Sequence, residues 1–256
     1  MGAGGVSVEV DDGVAVLTID RPEVRNAIGS ATVEEFDAAL TEVESAAAVL
    51  VIRGGGDRVF VSGGDLKELS AIRTHEDAVA MASRARRLLD RVASYPIPVI
   101  AALNGHALGG GAEFAIAADI RIAADDIRIG FNQVTLGIMP AWGGAERLAQ
   151  RIGRGRAVMA IATGELYDAP AAQALGLLDV VVGRESFDGE WRRIARKMAD
   201  TAPGTTRAVK SVVAAAATGV HPDLEAAATE AFARLWTADA HWDAVDAMTK
   251  AKSARR

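Results

Sequence analysis

An α/β body followed by a helical lobe is the fold class this sequence predicts, on three observations. Short apolar runs with strand spacing alternate with amphipathic helical stretches up to about residue 200. Several of those runs end in clustered glycines that lead into a helix. After Pro203 the pattern is helical throughout, which divides the chain into a body of 1–200 and a lobe of 201–256.

The opening reads as a hairpin. Val6, Val8 and Val10 alternate with polar residues, Asp12-Gly13 supplies the turn, and 14–19 returns as a second strand that Arg21-Pro22 ends. Thr32 and Glu35 stand at capping-box spacing and open an amphipathic helix over 32–47. Residues 49–52 read as a buried strand before Gly54-Gly55-Gly56, and 59–61 as another before Ser62-Gly63-Gly64-Asp65. A helix fills 74–94 and stops at Tyr95-Pro96 and Pro98, because proline lacks the amide donor and disfavours helix in the residue before it. Residues 99–103 form a strand, Asn104-Gly105 turns the chain, and Gly109-Gly110-Gly111 opens a helix over 110–118. Strands follow at 120–123 and 127–129. From about 143 the pattern is mostly helical, with one late strand at 178–182.

The 256 residues, 50% hydrophobic and 24% charged, suit one soluble domain with an appended lobe. There is no cysteine, which removes disulfides, thiolate metal sites and a cysteine nucleophile, and fits a reducing cytoplasmic setting. The net charge of −6 opposes general nucleic-acid binding. MGAGGVSVEV lacks the features of a signal peptide, Val6 stands where a myristoylation site wants Ser or Thr, and no apolar run is long enough to span a membrane.

The chemistry narrows by elimination. There is no P-loop and no nucleophile elbow, and Phe114 occupies the last glycine position of a dinucleotide fingerprint. His75, His221 and His241 read as structural or solvated, and only His106 lies near a glycine cluster. Two segments stand out: Ser62-Gly63-Gly64-Asp65-Leu66-Lys67, and Asn104-Gly105-His106-Ala107-Leu108-Gly109-Gly110-Gly111-Ala112-Glu113. Each takes a strand through glycines into a helix, where free N–H groups carry partial positive charge. Either one alone is an ordinary tight turn. Two such donors aimed at one point would make an oxyanion hole, with Glu113 beside it.

These residues resemble the signatures of the crotonase (enoyl-CoA hydratase/isomerase) superfamily. Gly64-Asp65-Leu66-Lys67 is similar to its first element and Asn104 to Glu113 to its second. Arg21-Pro22 with Asn26-Ala27-Ile28, then Leu136-Gly137-Ile138-Met139-Pro140 with Gly143-Gly144 and Arg147-Leu148, resemble its flanking patterns in the right order over 6–252. The resemblance implies a spiral of ββα units with a C-terminal helical lobe. It also implies an acyl-CoA thioester substrate, with coenzyme A entering as part of the substrate, and neither a separate cofactor nor a metal. The Gly64 and Gly110 amides would hold the thioester oxygen and Glu113 would move the proton. Arg25, Ala27, Asp65, Leu66 and Lys67 would contact the CoA moiety, with Arg25 and Lys67 as phosphate partners by charge.

One departure matters. Hydratases of the family carry a second glutamate 20 residues after the first, and here that position is Gln133, preceded by Asn132. An amide can orient a water or an acyl group but cannot exchange a proton as glutamate does. Enoyl-CoA hydratase is the leading expectation. A one-carboxylate enoyl-CoA isomerase, a decarboxylase of short malonyl-type thioesters with Asn132 and Gln133 on the leaving carboxylate, and a non-catalytic acyl-CoA binder are the alternatives. Pro140 to Gly144 resembles some decarboxylating relatives, and Trp142 there replaces a small residue. It either shortens the acyl site or belongs to the core. RNA-binding relatives exist, but the acidic charge argues against that role. In the lobe, Phe232, Leu235, Trp236 and Trp242 form an apolar stripe. It is either intramolecular core or, as the resemblance implies, the contact of a homotrimer or homohexamer, with Met248 and Lys252 nearest a neighbour's nucleotide.

Overall fold

The apolar runs of the first two thirds become the strands of two sheets. A computed structural model of the chain describes residues 5–202, 204–217, 224–243 and 250. The hairpin forms as read: β1 (Val6–Asp11) pairs antiparallel with β2 (Val14–Ile19) across Asp12-Gly13. Three consecutive strand pairs then divide between the sheets. β3 (Val49–Gly54), β5 (Val99–Leu103) and β7 (Ile120–Ala124) enter a six-stranded sheet of order β1-β2-β3-β5-β7-β10, closed by β10 (Val180–Val182). Their successors β4 (Val59–Val61), β6 (His106–Leu108) and β8 (Arg128–Gly130) enter a four-stranded sheet that ends on β9 (Tyr167–Asp168). Pairing is parallel except at β1–β2 and β8–β9. Apart from Arg53, β3 and β5 are buried throughout, as near-continuous apolar runs in a covered parallel sheet require. This repeated ββα winding is the spiral expected from the resemblance.

Helices cover the sheets. α1 (Ser30–Val43), α2 (Leu66–Leu69), α3 (His75–Ala93) and α4 (Gly110–Ala117) belong to the first half. α5 (Gly144–Ile152), α6 (Arg154–Thr163), α7 (Ala169–Leu175), α8 (Phe187–Ala199), α9 (Thr205–Ala217) and α10 (Leu224–Trp236) follow. α4 is apolar on every face apart from Glu113, so it can only lie inside. Residues 111–117 are all buried, and Phe114 makes edge-to-face contacts with Phe36 and Phe60 at 5.3 and 6.3 Å.

Four local readings differ from the sequence expectations. α1 starts at Ser30, not Thr32: the Thr32 hydroxyl is buried and accepts from Arg21 Nη1, while the Glu68 carboxylate caps the Ser30 amide from across the chain at 2.9 Å. It ends at Val43 rather than at 47. The expected turn after Asn104 contains β6, a three-residue strand whose His106 amide donates to Arg58 O. The late strand is trimmed to 180–182, because the Leu177 and Leu178 amides turn back onto Ala172 O at the end of α7. By contrast, α3 begins as read, with the Thr74 hydroxyl accepting from the Asp77 amide at its N-cap.

The C-terminal helices attach through α9, where Lys210 Nζ lies 2.7 Å from the Asp119 carboxylate and 3.1 Å from Ile97 O. Phe232, Trp236 and Trp242 are exposed, and Trp236 packs on Phe232, His241 and Trp242. Met248, Lys252 and His221 lie outside the described residues. Among the described residues no helix is long and apolar enough to cross a membrane.

Candidate active site

Two buried asparagines hold the loops that build the site. Asn26 donates to Gly55 O and Val59 O and accepts from the Arg21 amide. Asn104 accepts from the Gly54 amide and donates to Gly56 O. Together they fix the loop after β3 against β4 and β6. Arg21 completes the brace, with its guanidinium on Ala27 O and the Asp65 carboxylate.

This framework brings the two glycine segments together. A parallel bridge joins Ile28 to Gly64, made by the Ile28 amide on Gly63 O and the Asp65 amide on Ile28 O. In that pattern the Gly64 N–H points away from the bridge. Gly110 is the first residue of α4, where amides lack partners within the helix. The turn before it needs Gly109 at φ 57° and ψ −118°, a conformation open to glycine. A Cβ built on Gly63 would stand 3.3 Å from Gly110 N, so the segments are in contact. Gly64 and Gly110 both line a cleft of about 1260 Å³.

Glu113 faces the same cleft from one turn into α4 and is 2% exposed. Its Oε2 accepts from the amides of Trp142 and Gly144 at 2.7 and 2.9 Å, and its Oε1 from Gln133 Nε2 at 2.9 Å. Burial pushes the carboxyl pKa up, while these donors pull it back, and the net direction is upward. Gln133 is itself 9% exposed, and its Oε1 has no partner among the described residues. The amide orientation follows from chemistry: the carboxylate only accepts, so the NH₂ must face it and the oxygen must face elsewhere.

The remaining expected residues fall around this centre. Arg25, Ala27, Asp65, Lys67, Asn132 and Trp142 line the cleft. Arg25 adopts φ 58° and is exposed. Asp65 is occupied by Arg21 and by the Lys67 amide, so its carboxylate shapes the loop at the start of α2, the helix that Leu66 opens. His106 also lines the cleft, with Nδ1 accepting from the Arg128 amide. Sequence reasoning passed over the Trp142 and Gly144 amides as Glu113 partners. It also passed over Arg147, which holds Trp142 O at 2.9 Å, and the apolar wall of Leu136, Ile138 and Met139, which stay 60–72% exposed. The usable signal for that wall was a cluster of large apolar residues in a glycine- and proline-broken stretch.

The fold and cleft thus define an α/β protein in which two glycine segments and one buried carboxyl converge. A family model described as enoyl-CoA hydratase/isomerase matches residues 9–249. A probable enoyl-CoA hydratase of Bacillus subtilis is 39% identical over 203 residues, 78% of each chain. A short-chain-enoyl-CoA hydratase of Clostridium acetobutylicum is 35% identical over 254 residues, 97% of this chain and 95% of the relative. The crystal structure of an enoyl-CoA hydratase from Bacillus anthracis superposes with a TM-score of 0.91 at 30% identity over 96% of both chains. The chain belongs to the enoyl-CoA hydratase/isomerase (crotonase) family.

Proposed function

We propose that this protein hydrates 2-enoyl-CoA thioesters with a single carboxyl doing both proton transfers. The Gly64 and Gly110 amides receive the thioester oxygen. Gln133 Oε1 and Glu113 hold a water, each accepting one of its hydrogens. The water oxygen bonds to C3, its proton passes to Glu113, and the π electrons move onto the thioester oxygen as an enolate. The enolate then takes the proton from Glu113 at C2, which completes the addition of water. The amide donors assist because they bind the enolate more strongly than the neutral carbonyl.

The observation that carries this reading is the Glu113 carboxyl in the wall of the cleft that Gly64 and Gly110 also line, with the buried Gln133 oxygen left unpartnered on the amide that donates to it. An acceptor there suits water. It repels a leaving carboxylate, which weighs against the decarboxylase alternative. Arg25 and Lys67 remain the proposed partners of the CoA phosphates, and the exposed Val209, Val213, Phe232, Trp236 and Trp242 support a homotrimer or homohexamer built through 201–256.

The test is loss of the conjugated thioester absorbance of crotonyl-CoA, with 3-enoyl-CoA and methylmalonyl-CoA run in parallel. Hydration of crotonyl-CoA as the fastest of the three is the expected result. Reaction of only one of the other two reassigns the activity, and tight binding with no turnover makes the protein a binder. Gln133→Glu is expected to raise crotonyl-CoA kcat by about 10-fold or more, toward the roughly 10²–10⁴-fold value of a second general acid/base. A lower rate in that variant would mean that the acceptor oxygen, rather than a missing acid, suits the reaction.

A further inference from the structure

A side chamber of about 300 Å³ lies between the start of α1, α2 and α3, walled by Ile28, Val33, Ile72 and Arg84 among others. It shares Gly64, Asp65, Leu69, Met81 and Trp142 with the main cleft. Trp142 is the bulkiest of the shared residues. The outer edge of its indole lies 2.6 and 2.9 Å from a Cβ built on Gly110, and 3.6 Å from one built on Gly64. The ring therefore stands against the Cα atoms of both glycines, between the cleft and the chamber.

The main chain that carries the ring is also held in place. The Trp142 amide donates to Glu113 Oε2, and its carbonyl accepts from Arg147, which is ion-paired with Asp90. Trp142 is 8% exposed. Turning the indole aside by main-chain movement would break the hydrogen bond that positions Glu113. The same short loop thus holds the carboxyl and closes the chamber.

We infer that Trp142 is a chain-length gate, which keeps the acyl group in the short, four-carbon class by barring it from the side chamber. This inference rests on the reading of the cleft as an acyl-CoA site. An acyl group whose thioester oxygen lies on the Gly64 and Gly110 amides meets the indole within a few carbons. The chamber is lined by Val33, Ile72, Ala80 and Ala85 on its apolar side and by Ser30, Glu68, Asp77 and Arg84 on its polar side, and the apolar side would accept several more methylenes.

The experiment measures binding rather than turnover, with saturated butyryl-CoA and octanoyl-CoA titrated into the full-length protein. Each newly buried methylene strengthens binding by about four-fold. The ratio of octanoyl to butyryl affinity is therefore expected to rise at least ten-fold in Trp142→Ala, with a smaller rise in Trp142→Phe, which keeps a ring. Trp142→Leu supplies a second opened gate with an apolar side chain in case the alanine variant does not fold. Equal ratios in wild type and the folded opened variants overturn the gate, as does a wild type that already prefers octanoyl-CoA ten-fold. Failure of every acyl-CoA to bind the wild type overturns the gate and the acyl-CoA reading together, so the two failures are told apart.

Discussion

Glu113→Gln is expected to lower kcat/KM for crotonyl-CoA by about 10²–10⁴-fold while the folded structure persists. The glutamine oxygen can still accept from the Trp142 and Gly144 amides, so the loop keeps its anchor. Its nitrogen can neither take a proton from water nor return one to carbon. Gln133 must then turn its amide, because two NH₂ groups cannot face each other at the present 2.9 Å contact. Wild-type activity in this variant would remove Glu113 from the chemistry. The pH profile makes the same point independently. Burial raises the Glu113 carboxyl above its ordinary value of 4.5, and the base must be ionised to accept the water proton. Wild-type kcat/KM is expected to climb with pH through an inflection above that value, and the variant to lack the climb.

The stability consequence has a definite sign. A carboxyl whose folded pKa is raised adds stability that is complete below its unfolded pKa and is lost as pH rises through the folded one. The melting temperature of Glu113→Gln relative to wild type is therefore expected to increase between pH 4 and pH 8. A difference that stays constant across that range would contradict burial as the dominant influence on Glu113.

Gly111→Ala is expected to cost about 3 kcal/mol, at the upper end for overpacking, or roughly 6–12 °C in melting temperature for a chain of this size. A Cβ at Gly111 would lie 1.7 Å from Val61 O and 2.7 Å from Val61 C. Both are main-chain atoms of β4, so no side chain can swing away to make room. α4 must back off the strand instead, and that movement separates Gly110 from Gly64. Activity is expected to fall further than stability does. Gly155→Ala is the matched control: it lies in α6 with open space around it, and alanine there should stabilise by about 0.5–1 kcal/mol. Equal melting of Gly111→Ala and wild type would refute the close seat of α4 on β4.

Much of this site was legible in one dimension. Glycines that take a strand into a helix are a local backbone requirement, and the resemblance to the crotonase family directed attention to Gln133, 20 residues after Glu113, whose Nε2 donates to the Glu113 carboxylate at 2.9 Å. The short apolar runs became strands because β-type residues between glycines have few other ways to bury themselves. Failures came where distant groups competed for a local one. Thr32 looked like a cap, but Arg21 and Glu68 reached α1 from 11 and 38 residues away and satisfied those groups differently. β6 escaped notice because three residues carry almost no periodicity, and its pairing with β4 and β8 is what makes it a strand.

Residue order alone pointed to the α/β body and to the glycine turns into helices, since both rest on backbone sterics readable within a few residues, while Glu113 and the amide 20 residues after it were singled out by the resemblance to the crotonase family. Only the tertiary structure decided that Gln133 donates to Glu113 and leaves its own oxygen unpartnered, that Trp142 lines two cavities, and that three main-chain and side-chain donors share one carboxylate. Those facts depend on packing between segments far apart in the chain, where a dense interior decides which polar groups meet and where each ring can lie.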